Sequence, residues 1–144
     1  LELGGLRVLP FTGRHYRPEN GNGIDELGYL VSADGAPTLL FPGDIRDYNP
    51  AGFQDFGHVD AAFAHVWLGD GMCRQTDFPK AADFVRLFAS FGANKVLFGH
   101  LYESGRDDDS MWRAEHARLV ADKLREVCPD METIIPEGGE IFRL

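Results

Sequence analysis

Residues 38–44 read TLLFPGD, an apolar, β-prone run cut off by Pro42-Gly43 with Asp44 at the break. Apolar residues in unbroken succession suit a strand covered on both faces rather than one with a wet side. The same design recurs at residues 8–15 (VLPFTGRH), which end on His15, and at residues 95–100 (KVLFGH), which end on His100. A strand that stops in a glycine turn presents the next side chain at a fixed place on the sheet edge. Metal ligands need that placement, since their geometry tolerates only tenths of an ångström. Imidazole and carboxylate together suit Zn²⁺, and also Mn²⁺ or Fe²⁺.

Outward from these three breaks, the pattern predicts an α/β (α+β) chain. Residues 6–12 read as a strand that Pro10 keeps near an edge, and the Gly-, Asn- and Pro-rich residues 13–23 read as a loop. Residues 27–33 and 38–41 read as strands joined by the hairpin signal Asp34-Gly35. A short helix is expected within residues 48–56 and a strand over 59–67. Asp77 is expected to cap a helix whose first turn holds Pro79 and whose stripe is Phe78, Ala81, Val85, Phe88 and Phe91, stopped by Gly92. A second helix is expected over about 110–127, with Trp112, His116, Val120, Leu124 and Val127 on one face. Residues 131–135 and 140–144 read as closing strands around Gly138-Gly139. With no repeat, linker or low-complexity tract, residues 1–144 read as a single domain.

A chain of 144 residues can bury roughly two-thirds of the surface its unfolded form exposes. Its 44% apolar and 26% charged content and 11 phenylalanines are those of a packed globular protein, not a disordered one. The net charge of −9 repels phosphate backbones and anionic headgroups, so neither nucleic acid nor membrane is the expected partner. Cys73 and Cys128 show no zinc-binding spacing and are expected to be reduced thiols. With no apolar run near the ~20 residues of a membrane span and no signal-peptide pattern, the expected location is cytoplasmic. An opening Leu1 in place of methionine points to a trimmed chain or a fragment.

The order strand–His, hairpin, strand–Gly-Asp, strand, helix, strand–Gly-His, helix resembles the second half of metallo-β-lactamase-superfamily proteins. Residues 8–47 look like that family's third and fourth motifs, and LFGH at 97–100 like its fifth. Each dipeptide is common, but the order, the strand-end placement and the separations of 29 residues (His15 to Asp44) and 56 residues (Asp44 to His100) are moderately specific. The resemblance implies the C-terminal half of an αββα sandwich, one mixed sheet with two main helices on one face. It implies that His15 binds a first zinc, His100 a second, and Asp44 bridges them as the catalytic carboxylate. Such a metal pair activates a water to attack an ester, lactone, amide or phosphoester of a small-molecule substrate. The rival readings are a metal-free binding module and an iron-dependent oxidoreductase on the same fold.

The family's HxHxDH motif, which supplies most remaining ligands, is not in this sequence: the histidines stand at 15, 58, 65, 100 and 116, no two of them two apart. Three ligands split between two metal positions are expected to hold zinc weakly or not at all. A missing N-terminal half also leaves one sheet face uncovered, to be met by that half or by a homodimer.

The other candidates read as structural. His65 shares a strand side with Phe63 and reads as a packed or face histidine. His116 falls on the second helix's stripe, and His58 lies in a loop without a sequence partner. Asp107, Asp108 and Asp109 complement the dipole of the helix they precede. Cys73 has no local base to make it a nucleophile. Arg46, Tyr48, Tyr102 and Glu103 follow the ligand positions closely enough to line a substrate pocket.

Overall fold

The computed structural model of the chain describes residues 1–17, 22–68, 79–108, 111–138 and 140–142. Strands β1 (Glu2–Leu3), β2 (Leu6–Arg17), β3 (Asn22–Ser32), β4 (Leu39–Phe41), β5 (Ala61–His65), β6 (Lys95–Gly99) and β7 (Glu132–Ile134) lie side by side in chain order as one sheet. Pairing is antiparallel from β1 to β4 and parallel from β4 to β7. It follows that β2, β4, β5, β6 and β7 all run in one direction and end at one edge of the sheet. Parallel neighbours need crossovers, and helices α1 (Pro79–Ser90) and α2 (Ala114–Val127) supply two of them, from β5 to β6 and from β6 to β7.

Both helices pack on one sheet face. Leu40, Ala62, Ala64, Val96 and Phe98 from the strands join Ala81, Phe84, Val85 and Phe88 of α1 and Val120, Ala121 and Leu124 of α2 in one buried cluster. The three- and four-residue steps in α1 put its apolar side chains on that face, and each fully buried Leu or Phe contributes about 1.5–3 kcal/mol. The opposite face carries a cross-strand row, Tyr29–Phe41 and Phe63–Leu97–Ile134, with Phe41 stacked on Phe63 at 4.3 Å between ring centroids. Among the described residues no helix covers that row.

Several expected boundaries shift, each for a physical reason. The expected loop over residues 13–23 is strand at both ends, because β2 runs to Arg17 and β3 starts at Asn22. Gly13 is there for close approach, not for a turn: a Cβ on it would stand 2.5 Å from Ile45 Cγ2. The helix expected within 48–56 reduces to the 3₁₀ turn Pro50–Gly52, begun by Asn49, whose side chain accepts from the Ala51 N–H at 3.1 Å.

The second helix begins at Ala114, not 110, and buries Ala117, Val120, Ala121 and Leu124, while Val127 is exposed. His116 is only half-buried and serves as a cap, its Nδ1 accepting from the Arg113 N–H at 2.9 Å. Of the expected closing pair, β7 forms and lies parallel to β6, while the described part of the other, residues 140–142, is not strand. His58 does have a partner, Asp60, at 3.0 Å. The expected cap Asp77, its neighbour Phe78, and Cys73, Asp109 and Gly139 fall outside the described residues.

Candidate metal site

Asp44 is held from three sides. Gly43 takes φ 80°, and a Cβ there would lie 2.9 Å from Glu26 Oε1 and 3.2 Å from the Leu27 carbonyl, so the turn requires glycine. The Asp44 N–H donates to that same Glu26 Oε1 at 2.8 Å. Just beyond, the N–H groups of Arg46 and Asp47 both donate to the Arg14 carbonyl, at 2.9 and 3.3 Å. Those bonds tie the loop after β4 to the end of β2 and bring His15 against Asp44, with Nε2 2.8 Å from Oδ2. Arg46 stands 3.6 Å from the same oxygen, and its guanidinium lies over the Trp67 ring at 4.2 Å.

His100 follows β6 in a left-handed conformation, φ 61°, as does Tyr102 at φ 56°. Such backbone is uncommon outside glycine and, where surrounding structure enforces it, belongs with functional sites. Both ring nitrogens of His100 face acceptors: Nδ1 the Val66 carbonyl at 3.2 Å, Nε2 the Glu103 carboxylate at 2.7 Å. Glu103 also accepts from Arg106, and that bond, ahead of the one from His100, draws its carboxyl below the ordinary glutamate range.

His65 closes β5, in register with Gly99 of β6. Its Nε2 lies 3.4 Å from Asp44 Oδ1, and its ring stands 3.6 Å from that of His100. Burial, helped by His100 and opposed by the Asp44 charge, pushes its pKa down to about 4. At neutral pH the ring is therefore uncharged, the form that binds a metal ion. Tyr48, beneath the site, donates its hydroxyl to the Trp67 carbonyl, and burial pushes its pKa far above the ordinary phenol range.

Thus the strand ends gather the three residues expected at one site. Donor atoms of Asp44, His65 and His100 all lie within 4.8 Å of one another, and His15 abuts the outer oxygen of Asp44 without joining that set. Asp44 Oδ1 and His65 Nε2 are buried and make no hydrogen bond. Buried polar atoms ordinarily find partners, and a cation between these two would satisfy both, so the residues present fit a metal ion. The expectation for His65 as a satisfied packing residue is changed by this geometry. His58, His116 and Asp108 stay away from the cluster: Asp108 pairs with Arg113 at 2.6 Å. Arg46 and Glu103 do border the site, as their proximity in sequence suggested.

On the open face, a hollow of about 480 Å³ runs from Asp44, His65 and Gly99 across Phe41, Phe63 and Leu97. No helix of the described residues is long and apolar enough to cross a membrane.

No family model matches the sequence, and neither does any curated protein. Solved structures do match. One, described as a possible metal-dependent hydrolase from Veillonella parvula, superposes with a TM-score of 0.61 at 17% identity, covering 100% of this chain and 56% of that one. Another, a candidate zinc-dependent hydrolase of the metallo-β-lactamase superfamily from Thermotoga maritima, gives 0.51 at 10% identity, covering 94% of this chain and 70% of that one. The chain spans a little over half the length of the first of these. At such identities the likeness is one of fold, and the chain shares a mixed-sheet α+β fold with these two structures.

Proposed function

We propose that the chain is the ligand-bearing C-terminal half of a metal-dependent hydrolase, with His15, Asp44 and His100 as metal-binding residues and zinc as the ion. The observation that carries this reading is the meeting of those three side chains at one sheet edge around a carboxylate whose inner oxygen is buried without a hydrogen bond. When bound, the metal supplies a Lewis acid and a water acidic enough to be a nucleophile near neutral pH. The chain's own residues do the positioning. Glu26 and the Arg14 carbonyl fix the turn that aims Asp44, while Arg46 holds its outer oxygen. Glu103, braced by Arg106, fixes the ring of His100. In this reading the Asp44 carboxylate would hold the ion through its inner oxygen and help hold the water there, its outer oxygen being kept in place by His15 and Arg46. An ester, lactone, amide or phosphoester of a small molecule is the substrate class.

The rest of such a protein covers the open sheet face, or a second copy of this chain does. The row from Tyr29 to Ile134 is the kind of apolar surface a facing sheet buries in a sandwich. The reading is tested by assaying the chain, alone and with its upstream coding region, against chromogenic ester, lactone, amide and phosphoester substrates, with and without a zinc chelator. Hydrolysis by the longer protein that is lost on chelation and in Asp44→Asn is expected. Chelator-insensitive turnover, or none in any metal-loaded form, would overturn it; iron dependence with electron transfer would point to the oxidoreductase instead.

A further inference from the structure

We infer that His65 is a metal ligand, and that Asp44, His65 and His100 form a three-donor site able to hold one divalent ion without ligands from any other segment. The inference rests on the metal-dependent reading above and adds a residue and a stoichiometry to it.

The argument begins with spacing. A tetrahedral zinc with ligand bonds of about 2.0–2.1 Å sets its donor atoms about 3.4 Å apart. Asp44 Oδ1 and His65 Nε2 stand at 3.4 Å, the edge of such a tetrahedron. All three donor atoms lie within 4.8 Å of one another, close enough for side-chain rotation to complete the third corner. Each comes from the C-terminal end of a different parallel strand, β4, β5 or β6, so the backbone already fixes their separation.

Solvation is the second step. Asp44 Oδ1 and His65 Nε2 are the two atoms of the cluster that are buried with no hydrogen bond. Two unsatisfied buried atoms facing each other are a costly arrangement for a protein to keep. A cation between them removes the cost at both. By contrast His15 binds the other oxygen, Oδ2, at 2.8 Å. That is where an outer partner of a ligating carboxylate belongs. His15 is therefore a positioning residue for this ion, whatever it ligates once further donors are supplied. One of the two acceptors now facing His100, the Val66 carbonyl or Glu103, gives way when the ion takes that nitrogen.

Three protein donors leave one tetrahedral position open, which is the coordination of a catalytic rather than a structural zinc. The expectation of weak binding drawn from the sequence counted His15 and His100 at separate ions and left His65 out. With His65 included, one ion has three donors.

The test is a Co²⁺ and Zn²⁺ titration of the metal-stripped chain, read by calorimetry and by the visible absorption of tetrahedral Co²⁺. Wild type is expected to take up one equivalent with the tetrahedral spectrum. His65→Ala and His100→Ala are expected to lose more affinity than the roughly 10–100-fold that removal of an outer partner costs, and His15→Ala to stay within that range. Circular dichroism of each stripped variant shows that the fold is intact, and His65→Cys, which restores a donor, is expected to recover one equivalent with a shifted spectrum. Binding by His65→Ala equal to wild type, with loss in His15→Ala and His100→Ala, would overturn the role of His65 and leave the hydrolase reading standing. No uptake by folded wild type would overturn the self-contained site, and the hydrolysis assay of the longer protein would then decide the function separately.

Discussion

Phe84 and Phe63 sit on opposite faces of the same sheet, and truncating each to alanine separates a closed core from an open one. Phe84 is 0% exposed and packs between Tyr48 at 5.2 Å, Phe88 at 4.5 Å and Phe98 at 6.4 Å. Removing a buried phenylalanine costs about 3–5 kcal/mol, and losing ring partners worth about 0.5–1.5 kcal/mol each places Phe84→Ala near the top of that range. Phe63 is half-buried, with one ring partner among the described residues, Phe41. Part of the ~1.5–3 kcal/mol of full burial plus one stack gives about 1–2 kcal/mol for Phe63→Ala. Against a total of about 5–15 kcal/mol, both are measurable by urea unfolding at constant m. Phe84→Leu provides a milder variant if Phe84→Ala does not fold. Equal losses at the two positions, measured dilute enough to keep the chain monomeric, would refute the single-core reasoning and mean that the open face is packed within the monomer.

Gly43→Ala forces a side chain into a left-handed turn 2.9 Å from Glu26 Oε1, and is expected to cost about 1–3 kcal/mol and to weaken Co²⁺ uptake by displacing Asp44. The Asp60 carboxylate is held below its ordinary pKa, first by the Thr38 N–H at 2.7 Å and then by His58. The stability it contributes is present above its unfolded pKa of about 3.9 and is lost as pH falls through the lower folded value. Urea midpoints followed below pH 4 should therefore fall less steeply in Asp60→Asn than in wild type. Replacing His116 by alanine removes the acceptor for the Arg113 N–H and is expected to cost about 1 kcal/mol in thermal unfolding, without changing metal uptake. Sedimentation velocity of the pure chain should show a dimer that Phe41→Glu disperses, because the substitution places a charge in the apolar row; a dye-negative monomer would count against the open face.

Much of this arrangement was legible in the sequence, and the failures have physical causes. Unbroken apolar runs at residues 39–41 and 96–98 identify the central strands, since a strand near the sheet interior tolerates them. The α1 stripe and the Gly92 stop were readable for the same reason: local periodicity and local turn chemistry determine them. The β2–β3 hairpin was harder. Its glycines and asparagines resemble a loop, yet Gly13 is glycine because Ile45, 32 positions away in the chain, packs on its backbone. No local rule sees a contact across that distance. His116 was misplaced because helical spacing gives a face but not the first residue of the helix, and a start four residues later turns the same side chain from packing to capping.

His65 escaped notice for a different reason, and that reason explains how the site is built. In the sequence the mark of a ligand is a glycine break after a strand, and AAFAH continues into Val66 and Trp67 without one. The break is not what gathers the ligands; strand direction is. Because β2, β4, β5 and β6 all run the same way, whatever side chain stands at or just past the end of each arrives at one edge. There His15, Asp44, His65 and His100 arrive, from four strands. Open parallel sheets bind their ligands outside the carboxyl ends of the strands for this reason. The glycines serve a narrower purpose: Gly43 lets the chain turn so that Asp44 points back over the edge, while His65 needs no turn because the alternation of β5 already points it to the open face beside Phe63.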